Sequence, residues 1–322
     1  MELAELISEL DESHVKYVVD VNLKEYTHTK TGGEIPVMVY PSNTDELIVS
    51  ARLLTDLKFE FIVLSGMTNI VLPDKKLDFV VLNMSEFETT EPIVDGNVLT
   101  VSGSYEMKTL TRWAYDHQLR SLEWMEGIPG TVGAGIYMNA GFLIGQDMEH
   151  FLVDATYLDL TDFTVKTMKN QDMKFRYRYS IFQDMNAVIL KAKFLVTPIK
   201  NLSHPWLRKL KSKKIIDQYH QRRANNQPLE LPSAGTVFVP PTPFHVGGLL
   251  REMKLVGHQI GGAQISPKSP GFIVGVDNMT GDDYYDLVKF IQQKVFERYG
   301  LSLEPEVRLI GFDKNISGHF GR

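Results

Sequence analysis

Five glycines fall within residues 127–141, beside Pro129 and without a charged side chain among them. Glycine adopts positive φ angles readily and lets the backbone approach another group closely, so this spacing is typical of segments that turn tightly against a ligand. The exposed N–H groups of such a segment bind anions even where no basic side chain is present. A buried turn packed with small residues would use the same glycines, and the spacing alone leaves both interpretations open.

The order of residues in this segment is more specific than its glycine content. The run IPGTVGAGIYMNAG, residues 128–141, resembles the flavin-binding segment of the UDP-N-acetylenolpyruvoylglucosamine reductases. Four further segments are similar to motifs of that family and follow in the family's order: YTHTKTGG (26–33), YRYSIF (177–182), PSAGTVF (232–238) and LEPEVRLIG (303–311). Five matches in register along most of the chain indicate homology.

The resemblance implies an enzyme of peptidoglycan precursor synthesis. Hydride would pass from NADPH to FAD and then to the enolpyruvyl group of a UDP-sugar ether, UDP-N-acetylglucosamine enolpyruvate, giving UDP-N-acetylmuramate. Negative charge develops on the carbon beside the substrate carboxylate, so the site needs groups that hold this carboxylate and an acid that protonates the carbon. We expect noncovalent FAD, because residues 65–69, which match the family's flavin diphosphate loop, contain no histidine for a covalent link.

Three residues of the matched motifs are expected to carry the reaction. Arg178 is expected to hold the substrate carboxylate, since a guanidinium donates two parallel hydrogen bonds and stays charged. Thr236 stands where the family usually has its proton-donating serine, and it keeps the hydroxyl. Glu306 matches the family's catalytic glutamate, which would stabilise the enol form or relay its proton.

The resemblance also assigns the remaining contacts by their positions in the motifs. The residues expected to bind FAD are Ser65, Gly66, Met67, Thr68, Asn69, Gly127, Ile128, Pro129, Gly130, Thr131, Gly133, Ala134, Gly135, Asn139, Ala140 and Gly141. The residues expected to bind the substrate are Tyr177, Ser180, Gly235 and Asn226. No metal is expected, because the histidines form no pair with the spacing of a metal site.

The sequence departs from the family near the expected site. Ser65 and Met67 replace two glycines of the diphosphate loop, Asn226 replaces a common lysine, and Thr236 adds a methyl group that stiffens χ1. The short stretch 180–188 matches the subgroup that lacks an extra substrate loop. A working but divergent reductase is therefore one interpretation. The alternative is a divergent paralogue, either a flavin oxidoreductase of another substrate or a non-catalytic flavin- or nucleotide-binding protein.

Composition limits the class of protein. The chain has 322 residues, 43% hydrophobic and 23% charged, which is typical of a folded globular protein. A net charge of -6 does not indicate the basic surface that binds nucleic acid, and no apolar run approaches the length of a membrane span. The acidic start and the absence of cysteine suit a cytoplasmic protein. We expect neither nucleic acid nor a membrane as partner, and a monomer or weak homodimer.

Apolar periodicity predicts an α+β fold rather than a doubly wound sheet. A two-part FAD-binding region of mixed sheets with flanking helices, residues 1–82 and 83–200, would precede an α+β substrate-binding domain, residues 201–322. The predicted elements include a β-α-β order in the first 75 residues. Asn43 or Thr44 is expected to cap its helix, Thr280 is expected to cap the last helix, and Gly300 to end it. Residues 202–226 read as a basic helix that either presents a solvated face or attracts the diphosphate substrate.

Overall fold

The structure is a computed structural model that describes residues 2–143, 145–201 and 203–312, so Leu202, where the predicted basic helix starts, lies outside it. The helices it describes are α1 Glu2–Glu12, α2 Thr44–Asp56, α3 Met107–Asp116, α4 Val132–Tyr137, α5 Met148–Phe151, α6 Pro205–Asn226, α7 Val246–Glu252 and α8 Gly281–Tyr299. None of these helices has both the length and the apolar composition needed to cross a membrane.

The first sheet has the strand order β1-β2-β5-β3. The strands of this region are β1 Lys16–Asn22, β2 Glu34–Tyr40, β3 Phe61–Leu64, β4 Ile70–Val71 and β5 Val80–Asn83. Strands β2 and β3 both run parallel to β5, and α2 connects them, which confirms the predicted β-α-β order. Leu47 and Leu54 of α2 belong to one buried core cluster with Val37 and Val39 of β2, so the sheet buries this face against helices.

The second sheet is antiparallel, with the order β12-β11-β13-β7-β6. The strands between β5 and α6 are β6 Ile93–Asp95, β7 Val98–Ser102, β8 Leu119–Arg120, β9 Gly141–Leu143, β10 Gln146–Asp147, β11 Leu152–Asp159, β12 Thr164–Lys169, β13 Ala187–Leu195 and β14 Thr197–Pro198. Helices α3 and α4 cover one face through Leu110 and Ile136. Leu158 and Leu190 belong instead to the core of the first sheet, so the two sheets pack together.

The third sheet is antiparallel, with the order β15-β18-β17-β16, and packs against α7 and α8. The strands after α6 are β15 Ser233–Thr236, β16 Gln259–Ile260, β17 Ala263–Ile265, β18 Phe272–Gly275 and β19 Arg308–Leu309. The chain then returns to the first region, because β19 pairs in parallel with β4 and aligns Arg308 with Ile70. This return brings the last predicted motif beside the loop after β3.

Capping residues in the sequence predicted the ends of α2 and α8. The Asn43 side chain accepts a hydrogen bond from the Glu46 N–H, and Thr280 forms a reciprocal capping box with Asp283. Gly300 ends α8 at φ +67. The predicted α+β class is confirmed. The boundaries near residues 82 and 200 stay predictions; β5 ends at Asn83 and α6 begins at Pro205.

Candidate active site

A cleft lies between the end of β3 and the segment that leads into α4. Its volume is about 1290 Å³ when the space open to solvent is counted. Residues 61–70 form one wall, and residues 130–138 and 185–189 form the other. The predicted flavin contacts that line it are Ser65, Gly66, Met67, Thr68, Asn69, Gly130, Thr131, Gly133 and Ala134.

The two glycine segments meet backbone to backbone in this cleft. A Cβ added to Gly66 would come within 3.0 Å of the Gly130 Cα, so a side chain there would enter the neighbouring backbone. No N–H group of residues 65–69 donates to a backbone carbonyl of the described residues. The Ser65 Oγ and Thr131 Oγ1 atoms are buried and have no hydrogen-bond partner within the described residues. Donors left unpaired in this way fit the diphosphate of a dinucleotide.

Met67 shows how the loop tolerates the loss of a family glycine. Its backbone has φ +46, a conformation that costs a residue with a Cβ about 1–2 kcal/mol. Its side chain is buried in the core of the first sheet, and burial of a Met stabilises by about 1.5–3 kcal/mol. The two effects are of similar size, so the turn keeps the shape that a glycine would allow.

The other predicted flavin contacts lie outside the cleft lining: Gly127, Ile128, Pro129, Gly135, Asn139, Ala140 and Gly141. Gly127 has φ +71 and faces the Arg223 side chain, and Ile128 is buried in the core of the second sheet. A Cβ on Gly135 would meet the Met148 Cε at 2.4 Å. These residues shape the segment, and their direct contact with flavin stays a prediction.

Arg178 and Glu306, 128 residues apart in sequence, form an ion pair beside the cleft. The Arg178 Nε donates to the Glu306 Oε1 at 2.8 Å. Their side chains are 24% and 10% exposed, so the pair is largely shielded from water. The two residues predicted to act on one developing charge are therefore in direct contact.

The Arg178 guanidinium is fixed on its other edge by main-chain carbonyls. Its Nη2 donates to the Gly141 carbonyl at 2.8 Å, and its Nη1 donates to the Asn139 carbonyl at 3.4 Å. Arg178 itself lies at φ +53 in the tight turn closed by the paired hydrogen bonds of Arg176 and Tyr179. Asn139 and Gly141, predicted as flavin contacts, thus orient the arginine.

Tyr177, the neighbour of Arg178 in this turn, contacts the second oxygen of the same carboxylate. Its hydroxyl donates to the Glu306 Oε2 at 3.2 Å, although 56% of the residue is exposed. Partial desolvation of the hydroxyl, with a contribution from the Glu306 charge, raises the pKa of Tyr177 to about 12. The phenol is therefore a hydrogen-bond donor throughout the physiological pH range.

The main chain of Glu306 ties this pair to the third sheet. Its N–H donates to the Val237 carbonyl at 2.8 Å, and its carbonyl accepts from the Asn69 Nδ2 at 3.2 Å. Thr236 ends β15 and immediately precedes Val237 in the chain. Gly235 lies at φ +83 with open space at its Cβ position. The structure thus brings Arg178 and Glu306 into contact and places the neighbour of Thr236 in the chain against the Glu306 main chain.

Ser180 and Asn226, two residues predicted to bind the substrate, do not line the cleft. Ser180 is fully buried, and its hydroxyl donates to the Tyr137 carbonyl at 2.9 Å, so the residue holds the Arg178 turn in position. Asn226 is exposed at the end of α6, where its side chain donates to the Arg222 carbonyl at 2.9 Å. Neither side chain lines the cleft.

Sequence reasoning missed a second basic group in the cleft. Arg308 lines it and donates through Nη2 to the Tyr137 hydroxyl at 2.8 Å and to the Gln183 Oε1 at 3.2 Å. Gln183 also donates to the carbonyls of Tyr137 and Arg178, which connects Arg308 to the ion pair. The sequence could have indicated Arg308 as a site residue, because it stands two residues after Glu306 in a matched motif.

Two segments of the chain match known protein families. Residues 35–162 match the family described as "FAD binding domain". Residues 227–310 match "UDP-N-acetylenolpyruvoylglucosamine reductase, C-terminal domain". Helix α6 lies between the two matched segments.

Individual relatives match over nearly their whole length. The UDP-N-acetylenolpyruvoylglucosamine reductase of Limosilactobacillus reuteri is 34% identical over 309 residues, 96% of this chain and 99% of that protein. The reductase of Streptococcus mutans is 34% identical over 95% of this chain and 97% of its own. The crystal structure of the reductase from Thermus caldophilus has a TM-score of 0.75 at 24% identity, covering 92% of this chain and 98% of that one, and it shows the fold.

Proposed function

The chain belongs to the UDP-N-acetylenolpyruvoylglucosamine reductase family, and from this premise we propose that it reduces UDP-N-acetylglucosamine enolpyruvate to UDP-N-acetylmuramate, using FAD and NADPH. The observation that carries the proposal is the contact of Arg178 with Glu306 beside a cleft lined by unpaired backbone and hydroxyl donors. A module that only bound a nucleotide would have no chemical reason to hold a carboxylate and a guanidinium there.

The FAD diphosphate would be held by residues 65–69 and by the segment from Gly130 to Ala134. The Ser65 and Thr131 hydroxyls would supply donors, and the N–H groups of residues 65–69 would supply others, because none of them donates to a backbone carbonyl of the described residues. When bound, FAD supplies the hydride that it has received from NADPH. The cofactor would be noncovalent.

The chain's own groups would bind and protonate the substrate. Arg178 would hold the substrate carboxylate and stabilise the charge that grows on it, which lowers the barrier because the interaction strengthens in the transition state. The Thr236 hydroxyl would deliver a proton to the carbon beside that carboxylate. Glu306 would stabilise the enol form from the opposite side of Arg178.

Binding of the rest of the substrate would use groups around this centre. Tyr177 is exposed at the rim, and Gly235 leaves open space beside Thr236. The basic residues of α6 would attract the UDP diphosphate by long-range charge, with Asn226 at the end of that helix. We propose a cytoplasmic location, a monomer or weak homodimer, no nucleic-acid partner, and domain boundaries near residues 82 and 200.

A spectral experiment tests the function. The purified protein is loaded with FAD and mixed anaerobically with NADPH, which should bleach the flavin absorbance. Addition of UDP-N-acetylglucosamine enolpyruvate should restore the absorbance, whereas UDP-N-acetylglucosamine, which lacks the enolpyruvyl group, should not. Reduction by NADPH without reoxidation by the enolpyruvyl ether would favour an oxidoreductase of another substrate. A protein that binds no flavin would contradict the proposal altogether.

A further inference from the structure

We infer that the substrate carboxylate displaces Glu306 from Arg178, and that the displaced Glu306 takes up one proton from solvent. This inference rests on the proposed function, since it requires an acidic substrate. It assigns Glu306 two successive states, an ion-paired carboxylate before substrate binds and a neutral acid afterwards.

The geometry makes the two carboxylates competitors for one edge of the arginine. The carbonyls of Gly141 and Asn139 hold the Nη side of Arg178, and Glu306 takes the Nε side. The guanidinium is therefore anchored, and the Glu306 side chain is the part that must turn away when a second carboxylate approaches that edge. Its main chain stays fixed by Val237 and Asn69.

Loss of the Arg178 ion pair favours protonation of the Glu306 carboxylate. Within the described residues, the charged and titratable groups that contact the Glu306 carboxylate are Arg178 and Tyr177; Asn69 and Val237 touch only its main chain, and Arg308 is directed to Tyr137 and Gln183. Once Arg178 has changed partner, Glu306 would be a shielded anion next to the anionic substrate. Two adjacent carboxylates that share one guanidinium in a shielded site each disfavour the ionised form of the other, which favours protonation of one of them.

The exchange balances without any other reactant. One hydrogen bond and ion pair between Arg178 and Glu306 breaks, one between Arg178 and the substrate carboxylate forms, and one proton passes from bulk solvent to Glu306.

Proton uptake on binding tests the inference directly. The FAD-loaded enzyme without NADPH is titrated calorimetrically with UDP-N-acetylglucosamine enolpyruvate, in two buffers of different ionisation enthalpy, from pH 6 to 8.5. We expect uptake approaching one proton per substrate bound, and binding that weakens by up to tenfold per pH unit as pH rises. UDP-N-acetylglucosamine, which has no enolpyruvyl carboxylate, should bind without uptake.

Two variants identify the group that takes the proton. Glu306→Gln should bind the substrate with no uptake, while Glu304→Gln, an exposed acid two residues away, should behave as the parent does. Uptake that is absent in the parent, or equal in parent and Glu306→Gln, would overturn the inference. Flavin reoxidation by the same substrate in the same preparation separates the two proposals, because the reductase function stands if reoxidation occurs without any proton uptake.

Discussion

Gly66→Ala is the sharpest test of where the cofactor binds. An alanine Cβ at this position would lie 3.0 Å from the Gly130 Cα, closer than ordinary packing allows, and the neighbour is backbone rather than a flexible side chain. Overpacking of this kind typically costs about 1–3 kcal/mol. If the two segments must keep their present separation to hold the diphosphate, this energy appears as lost FAD affinity, about 5- to 150-fold in Kd.

The assay is a titration of the FAD-free protein by flavin fluorescence, together with thermal unfolding with and without FAD. Each tenfold loss of affinity should lower the stabilisation that saturating FAD provides by about 1.4 kcal/mol. Gly248→Ala is the matched control, since Gly248 lies within α7 with open space at its Cβ position. That change should leave FAD affinity unaltered and stabilise the helix by up to about 1 kcal/mol.

The reasoning is refuted if Gly66→Ala binds FAD with the affinity of the parent. It is also refuted if the variant loses stability in the FAD-free state but gains the full stabilisation from FAD. In either case the close approach of the two segments would belong to folding alone.

Two further predictions concern single hydroxyl groups. Thr236→Val should leave flavin reduction by NADPH intact while slowing reoxidation by substrate by about 10²- to 10⁴-fold. Thr236→Ser should reoxidise at least as fast as the parent if the methyl group hinders proton transfer. Stopped-flow traces of both half-reactions measure these rates, and an equal loss in both half-reactions would contradict the prediction. Tyr284→Phe should raise the free energy of unfolding by up to about 1 kcal/mol, because the Tyr284 hydroxyl is buried without a hydrogen-bond partner among the described residues. Denaturant unfolding measures this, with Tyr219→Phe as a control that should destabilise, since the Tyr219 hydroxyl donates to Gln146 at 2.7 Å.

Helix ends and the β-α-β order of the first 75 residues were predictable because their causes are local. The Asn43 cap, the Thr280–Asp283 box and the Gly300 stop depend on residues within a few positions of each other. Residues 65–69, which a motif predicts to bind the flavin diphosphate, line the cleft. Short-range hydrogen bonding and periodicity carry this information in the sequence itself.

The sequence did not predict which residues of the 127–141 segment line the cleft and which ones bind Arg178. Whether a backbone carbonyl points to a cofactor or to an arginine depends on the path of the chain, and glycine composition does not specify that path. Asn139 and Gly141 therefore read as flavin contacts in the sequence, while in the fold their carbonyls accept hydrogen bonds from Arg178. The burial of Ser180 has the same origin, since its partner Tyr137 lies 43 positions earlier.

The direct contact between Arg178 and Glu306 decides how their mutational effects should combine. Arg178→Ala leaves a shielded Glu306 carboxylate without its cation, and Glu306→Gln leaves a neutral hydrogen-bond partner on the Arg178 Nε, so each single change disturbs the other residue. Both should slow flavin reoxidation while leaving reduction by NADPH intact. If the two residues act on one developing charge, the double variant should be little slower than the slower single variant, which is a strong departure from additivity. Losses that add would mean that the two side chains stabilise separate charges, and then the ion pair would have only a structural role.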